Sequence, residues 1–265
     1  MPLEQQTAWA GHDMMGYHTE SEPFNRLIKK NEADRPRMED CAGVYSQDII
    51  KWDKAGVARI KSSSAYEVGR TEAAIVAEQG VFEQIGDEQI LGDADATLAS
   101  EFDDLMRGVD LVVRFEPEEG KQPSYLAIDI KTNLGGRDND EKVRRSIESS
   151  VDEAKNNGLR EIKYYVDPQS GGKGRIFAPR VVLIFDSRYI LTVRDAIAKP
   201  SKQRTPRENM AIAEFQLKIK SQIVERCEEM ASEVDKLIAS NANVEKTKIV
   251  RLYSECGRRV RETMI

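Results

Sequence analysis

The chain has very few of the residues that build disulfide, zinc or histidine-based sites. Its three cysteines, Cys41, Cys227 and Cys256, lie far apart and lack the CxxC or Cys/His spacing of a zinc site. Its two histidines, His12 and His18, lie in a polar N-terminal stretch. We therefore expect reduced, structural cysteines, and any catalysis has to depend on carboxylates and lysine.

Long apolar runs are also missing. No stretch approaches the roughly 18 uninterrupted apolar residues of a membrane-spanning helix, and the N-terminal residues lack a basic segment followed by an apolar one. We therefore expect a cytoplasmic protein without a membrane partner. The net charge of −6 argues against a protein that coats nucleic acid non-specifically, because such coating needs surplus Lys and Arg, but it allows one local basic groove.

The 265 residues are enough to bury one sizeable core, and the composition, 32% charged and 6% aromatic, is typical of a helix-rich protein. We divide the chain into an N-terminal arm with short helices (1–60), a core (61–200) and a C-terminal helical hairpin packed on that core (201–265). In the last segment, apolar residues recur at helical spacing, with a break near residues 240–244.

A β-hairpin is predicted in the centre of the chain. Residues 108–115 (GVDLVVRF) and 125–132 (YLAIDIKT) alternate apolar and polar residues with period two, and a turn-like stretch separates them. Residues 167–179 are Gly-rich and are predicted to be a mobile linker. Helices are predicted over 65–85 and 141–158, and further strands around 88–91 and over 161–166 and 180–186. This order predicts an α/β fold with a central mixed sheet flanked by helices.

Charged residues of the hairpin form the candidate site. Period two places Asp129 and Lys131 on the same face of their strand, whereas Ile128 and Ile130 face the core. Two charges on the covered face of an apolar strand are unfavourable unless they are paired or bind a metal ion. Antiparallel pairing would bring Asp110 close to Asp129, and two adjacent carboxylates favour a divalent cation such as Mg²⁺ or Mn²⁺. The alternative is a purely structural ion pair.

Asp110 followed by Asp129-Ile130-Lys131 resembles the D…(D/E)xK signature of the PD-(D/E)XK superfamily of restriction-endonuclease-like nucleases. The resemblance implies that Asp110 and Asp129 bind the metal and that Lys131 assists catalysis. It departs from the usual pattern in two places, because Val109 stands where proline is common and the second acid is Asp instead of the more frequent Glu.

The resemblance also implies a restriction-endonuclease-like core over 61–200 with a C-terminal helical extension. That family's core has a helix before the hairpin, often contributing a glutamate, and a helix and a further strand after it; residues 65–186 are similar in that order. Glu72 and Glu78 both fit the helix glutamate, and we prefer Glu72, at the helix start, as a catalytic residue and metal ligand.

The function implied by the resemblance is a magnesium- or manganese-dependent nuclease, with DNA a more expected substrate than RNA. The alternative is a catalytically inactive nucleic-acid-binding or scaffold protein that keeps the fold. The apolar face of the C-terminal hairpin leaves a homodimer open, and a protein-interaction role of residues 205–265 is compatible with either function.

Overall fold

The computed structural model describes residues 22–63, 71–117, 119, 121–133, 135, 137–156, 158–238 and 244–264. Three expectations therefore concern residues outside the described part of the chain: the N-terminal stretch with His12 and His18, the start of the predicted helix 65–85, and most of the predicted break near 240–244.

The described residues form helices and strands that alternate through the middle of the chain. In chain order they are α1 (Glu22–Asp34), α2 (Gln47–Lys61), α3 (Glu72–Ile85), β1 (Ala94–Leu98), α4 (Glu101–Arg107), β2 (Leu111–Phe115), β3 (Ser124–Asn133), α5 (Arg137–Asn156), β4 (Arg160–Val166), β5 (Lys173–Ala178), β6 (Arg180–Asp186), α6 (Ser187–Ile197), α7 (Pro206–Ile238) and α8 (Val244–Glu262). A short 3-10 turn, Met38–Cys41, connects α1 and α2.

The predicted α/β fold with a mixed sheet is confirmed. Four strands pair in the order β1-β2-β3-β6, in which β1, β2 and β3 are antiparallel neighbours and β6 is parallel to β3. Strands β4 and β5 form a separate antiparallel pair. The predicted central hairpin is therefore present as β2 and β3, and the strands predicted over 161–166 and 180–186 are β4 and β6.

Period-two alternation separates the two faces of the central sheet. Leu111, Val113 and Ile128 belong to the main core, which they share with residues of the helices. Val112 and Ala127 point to the opposite face. There they pack against residues of β4 and β5, namely Ile162, Tyr165 and Ala178. The β4–β5 pair therefore covers the face on which the charged residues of β2 and β3 lie.

Two local predictions are wrong. The Gly-rich stretch 167–179 is not a mobile linker along its whole length, because Lys173–Ala178 forms β5 and pairs with β4. The strand expected around 88–91 lies instead at Ala94–Leu98, and Gln89 has a positive φ of 50° that interrupts extended backbone. Both errors arise because strand pairing outweighed local composition.

The first and last segments contribute to the same core as the middle of the chain. Phe24 of α1 is buried in the main core, together with Phe215 of α7 and Tyr253 of α8. Cys41, Cys227 and Cys256 are buried free thiols. Within the described residues, no helix combines the length and the apolar character needed to cross a membrane.

Helix α5 ends at Asn156, two residues before the predicted end at Gly158, and Gly158 has left-handed backbone. Gly158 has a φ of +85°, and its N–H donates to the carbonyl oxygen of Glu153 at 2.9 Å. A Cβ atom at this position would lie 2.5 Å from Cδ1 of Ile249 on α8. The glycine therefore permits both the helix end and the close approach of α8.

We expect Gly158→Ala to destabilise the protein more than Gly171→Ala, as measured by urea denaturation. Both positions have positive φ, but a Cβ at Gly171 would meet no atom within 4 Å. Gly171→Ala should therefore lower the free energy of unfolding by about 1–2 kcal/mol through backbone strain alone. Gly158→Ala should lower the free energy of unfolding by the same backbone strain and by about 1–3 kcal/mol more, because its Cβ crowds Ile249. Equal effects of the two changes would contradict close packing of α8 against this turn.

Candidate active site

Asp129 lies at the centre of the candidate site. Its side chain has 0% exposed surface, and it is ion-paired on one side with Nζ of Lys131 and on the other with Nη2 of Arg180, 2.5 Å away. Oδ1, which faces Lys131, is buried without a hydrogen bond, so the ion pair is its only close polar contact of those described. Lys131 is 40% exposed, so its ammonium group lies between the buried carboxylate and solvent.

Asp110 is held beside Asp129 by the turn that leads into β2. Gly108 ends α4 with a φ of +63°, and the chain then enters β2, where Leu111 pairs with Ile128. The N–H of Asp110 donates to the carbonyl oxygen of Ile128 at 2.9 Å, and its Oδ2 accepts a hydrogen bond from the N–H of Ile130. The carboxylate is therefore fixed against the backbone of β3, next to Asp129.

The carboxylate of Asp110 is in an unfavourable environment for a negative charge. Burial raises its pKa well above the ordinary value, Lys131 opposes the shift, and the nearby carboxylates of Asp129, Asp104 and Glu78 add to it. Burial would lower the pKa of Lys131, but Asp129 and Asp110 outweigh burial and raise it. Lys131 therefore stays protonated at neutral pH.

Arg180 is part of the site, although the sequence analysis did not single it out. It is the first residue of β6, and because β6 runs parallel to β3 its guanidinium reaches Asp129 and also approaches Glu153 at 3.4 Å. The hydroxyl of Tyr253 accepts a hydrogen bond from the Arg180 N–H at 3.1 Å and donates one to its carbonyl oxygen at 3.2 Å. Helix α8 thus fixes the backbone of the residue that pairs with Asp129.

Glu78, and not Glu72, is the α3 glutamate whose charge acts on Asp110. Glu78 pairs with Nη2 of Arg35 at 2.5 Å, and Arg35 also contacts Asp104 at 3.3 Å. Burial raises the pKa of Glu78 to about 7; Arg35 opposes the shift, and Asp104 and Glu32 add to it.

Glu72 pairs instead with Nη1 of Arg194 on α6 at 2.6 Å. It is absent from the principal charges that shift the pKa of Asp110. The preference for Glu72 over Glu78 therefore has no support in the geometry.

Asp110 and Asp129 are the candidate ligands of a metal ion in this site. Among the residues that the structure describes, no three acidic, histidine or cysteine side chains gather into a group that could hold a metal ion, so the predicted set of Glu72, Asp110 and Asp129 is not formed. Asp110 and Asp129 remain, and both carboxylate oxygens of Asp129 already pair with cations, Oδ1 with Lys131 and Oδ2 with Arg180. Magnesium and manganese bind hard oxygen ligands, and magnesium often keeps several waters, so two carboxylates can suffice.

The residues that the sequence analysis missed have weak local signals. Arg180 is the first residue of the apolar run RVVLIFD, and a charge at the start of a buried strand needs a partner. This position is the only local signal for its role. Arg35 stands in a polar stretch that carries no such signal, although it is only 8% exposed in the fold.

Comparison with known proteins gives no relative. No family model, no curated protein and no solved structure matches the chain.

The pKa of Glu78 predicts a pH-dependent stability. Because it is raised to about 7 in the folded protein from about 4.5, the wild type loses stability as the pH rises through this window. Glu78→Gln should therefore raise the free energy of unfolding at pH 8 by on the order of 2 kcal/mol and change it little at pH 5. Urea denaturation at the two pH values measures the difference.

The matched control is Glu72→Gln, since both glutamate side chains are 17% exposed and ion-paired to an arginine. It should lower stability by about 1 kcal/mol or less at both pH values. A loss of stability in Glu78→Gln at pH 8 would mean that the ion pair with Arg35 outweighs the burial of the charge.

Proposed function

We propose that the chain is a metal-dependent nuclease that hydrolyses phosphodiester bonds, with DNA as the expected substrate. The observation that carries the proposal is the placement of Asp110, just before β2, against the backbone of β3 next to Asp129, with Lys131 on the other side of Asp129. The order α3, β2–β3, α5 and β6 supports it, because it agrees with the helix, hairpin, helix and strand that the PD-(D/E)XK resemblance implies.

Asp110 and Asp129 are the residues that would hold the metal ion. Each is fixed before any ion binds, Asp110 by the N–H of Ile130 and Asp129 by Arg180. Bound magnesium or manganese supplies an activated water and neutralises charge that develops on the phosphate. Because burial raises the pKa of Asp110, a divalent cation would have to displace its proton, and the charge of the cation would then offset the repulsion from Asp129.

Lys131 acts as a cation and not as a base. Its pKa is raised by Asp129 and Asp110, so its ammonium group keeps its proton at neutral pH. With 40% of its side chain exposed, it can reach a phosphate oxygen from its position beside Asp129. A fixed positive charge at this place stabilises the negative charge of the transition state.

Glu78 contributes to the site through its charge. Its carboxylate adds to the raised pKa of Asp110, and burial raises its own pKa to about 7. Arg35 pairs with Glu78 and keeps the pKa from rising further.

Cleavage assays with single- and double-stranded DNA and RNA test the proposal. The wild type should cut at least one of these substrates with magnesium or manganese and none with EDTA. Lys131→Ala should lower the rate by about 100- to 1,000-fold, the loss that follows removal of one transition-state contact. Lys236→Ala removes an exposed, ion-paired lysine on α7 and should leave the rate unchanged.

The fold of each variant is checked by thermal denaturation, and Lys131→Gln repeats the test with a side chain of similar length. Cleavage by Lys131→Ala at the wild-type rate would exclude the assigned role of Lys131. A folded wild type that binds nucleic acid but cuts none of the substrates would favour the alternative, an inactive nucleic-acid-binding or scaffold protein.

A further inference from the structure

A cleft of about 480 Å³ opens on the side of the molecule where α1, α2 and α4 meet. Its walls come from the end of α1, the 3-10 turn, one face of α2 and the start of α4. The lining residues are Glu32, Arg35, Arg37, Met38, Glu39, Lys54, Val57, Ala58, Lys61 and Glu101. The volume lies in the range of small-ligand sites and admits part of one polynucleotide strand.

The cleft adjoins the candidate active site through Arg35. The guanidinium of Arg35 lines the cleft and contacts Glu78 at 2.5 Å and Asp104 at 3.3 Å. Glu78 and Asp104 are carboxylates whose charges act on Asp110. Arg35 also donates to the carbonyl oxygen of Ala99 at 2.9 Å, and the N–H of Ala99 donates to the carbonyl oxygen of Asp110 at 2.9 Å. Hydrogen bonds thus connect the cleft wall to the backbone of a proposed metal ligand.

The rim of the cleft carries lysines whose present ion pairs are weak enough for a phosphate to replace. Lys54 pairs with Glu39, and Lys61 pairs with Glu101, and all four side chains are at least 36% exposed. Such exposed pairs contribute about 0–1 kcal/mol each, so a phosphate oxygen can replace the carboxylate. Arg37 is exposed, and it forms no ion pair with any described residue. A phosphate could therefore bind Arg37 without breaking an ion pair.

The lining of the cleft suits a sugar-phosphate backbone better than stacked bases. Its apolar part consists of Met38, Val57 and Ala58, and no aromatic ring lines it among the described residues. Lys54 and Lys61 lie two turns apart on α2, about 10.5 Å along the helix axis. This separation lets the two ammonium groups contact different phosphates of one strand. Contacts of this kind fix the position of a strand but do not read its sequence.

We infer that the cleft between α1 and α2 binds the backbone of the nucleic-acid strand that flanks the cleaved bond, with Arg37, Lys54 and Lys61 contacting phosphates. The inference rests on the proposed nuclease function and adds to it the path of the substrate. It also allows a chain with a net charge of −6 to bind a polyanion, since the cleft lining carries four cationic side chains and three glutamates.

The test is the salt dependence of binding, measured in EDTA so that no cleavage is required. Fluorescently labelled single-stranded and duplex DNA, each in two unrelated sequences, are titrated with the full chain from low to moderate salt. Lys54→Gln/Lys61→Gln should weaken binding by at least about tenfold for both sequences. The slope of log K against log salt should become shallower by about 1.8 for duplex and about 1.4 for single-stranded DNA.

The matched control is Lys199→Gln/Lys236→Gln, which removes two exposed, glutamate-paired lysines outside the cleft and changes the net charge equally. It should bind with the wild-type slope. Lys54→Arg/Lys61→Arg keeps both charges and should also retain the slope. The inference is overturned if the cleft variant keeps the wild-type affinity and salt slope. It is also overturned if the control variant loses as much affinity as the cleft variant, or if the wild type binds neither single-stranded nor duplex DNA.

These outcomes separate the inference from the proposed function. A wild type that binds through the cleft but does not cut would remove the nuclease proposal and leave the cleft assignment intact. A wild type that cuts, together with a cleft variant that binds and cuts normally, would remove the cleft assignment and leave the nuclease proposal intact.

Discussion

Asp129 is a carboxylate without exposed surface on the central strand β3, held between the cations Lys131 and Arg180. Burying a charge costs several kcal/mol unless partners in good geometry offset it, and removing one partner of such a pair is strongly destabilising. The arrangement depends on the parallel pairing of β3 and β6, which places Arg180 two residues from the partner of Asp129 and so brings the two side chains together. The candidate site and the strand order of the sheet depend on the same contact.

The C-terminal helices support this contact from the outside. Tyr253 of α8 binds both the N–H and the carbonyl oxygen of Arg180, and the hydroxyl is buried with them. Helices α7 and α8 also share the main core with the sheet. The C-terminal hairpin is thus part of the framework that positions the charges, in addition to any surface it offers to a partner.

The charges of Glu78 on α3, Asp104 on α4 and Asp129 on β3 all repel a negative charge on Asp110, which lies just before β2. Arg35 offsets part of this repulsion through Glu78 and Asp104, and Lys131 offsets part of it through Asp129. Burial and the neighbouring carboxylates still outweigh these cations, so the pKa values of Asp110 and Glu78 are raised. Strongly shifted carboxylates that lie together are more frequent at functional sites than elsewhere, which agrees with a site for a cation and a phosphate.

The sequence by itself determined what depends on neighbours along the chain. Period two placed Asp129 and Lys131 on one face, the alternation in 108–115 and 125–132 gave the hairpin, and Gly158 ended α5. Tertiary structure alone decided what depends on distant segments. Arg180 lies in the site because β6 pairs in parallel with β3. The packing of α3 decides that the charge of Glu78, and not that of Glu72, acts on Asp110. Residues 173–178 form a strand because they pair with β4. These choices are set by contacts between residues far apart in sequence, which local patterns do not encode.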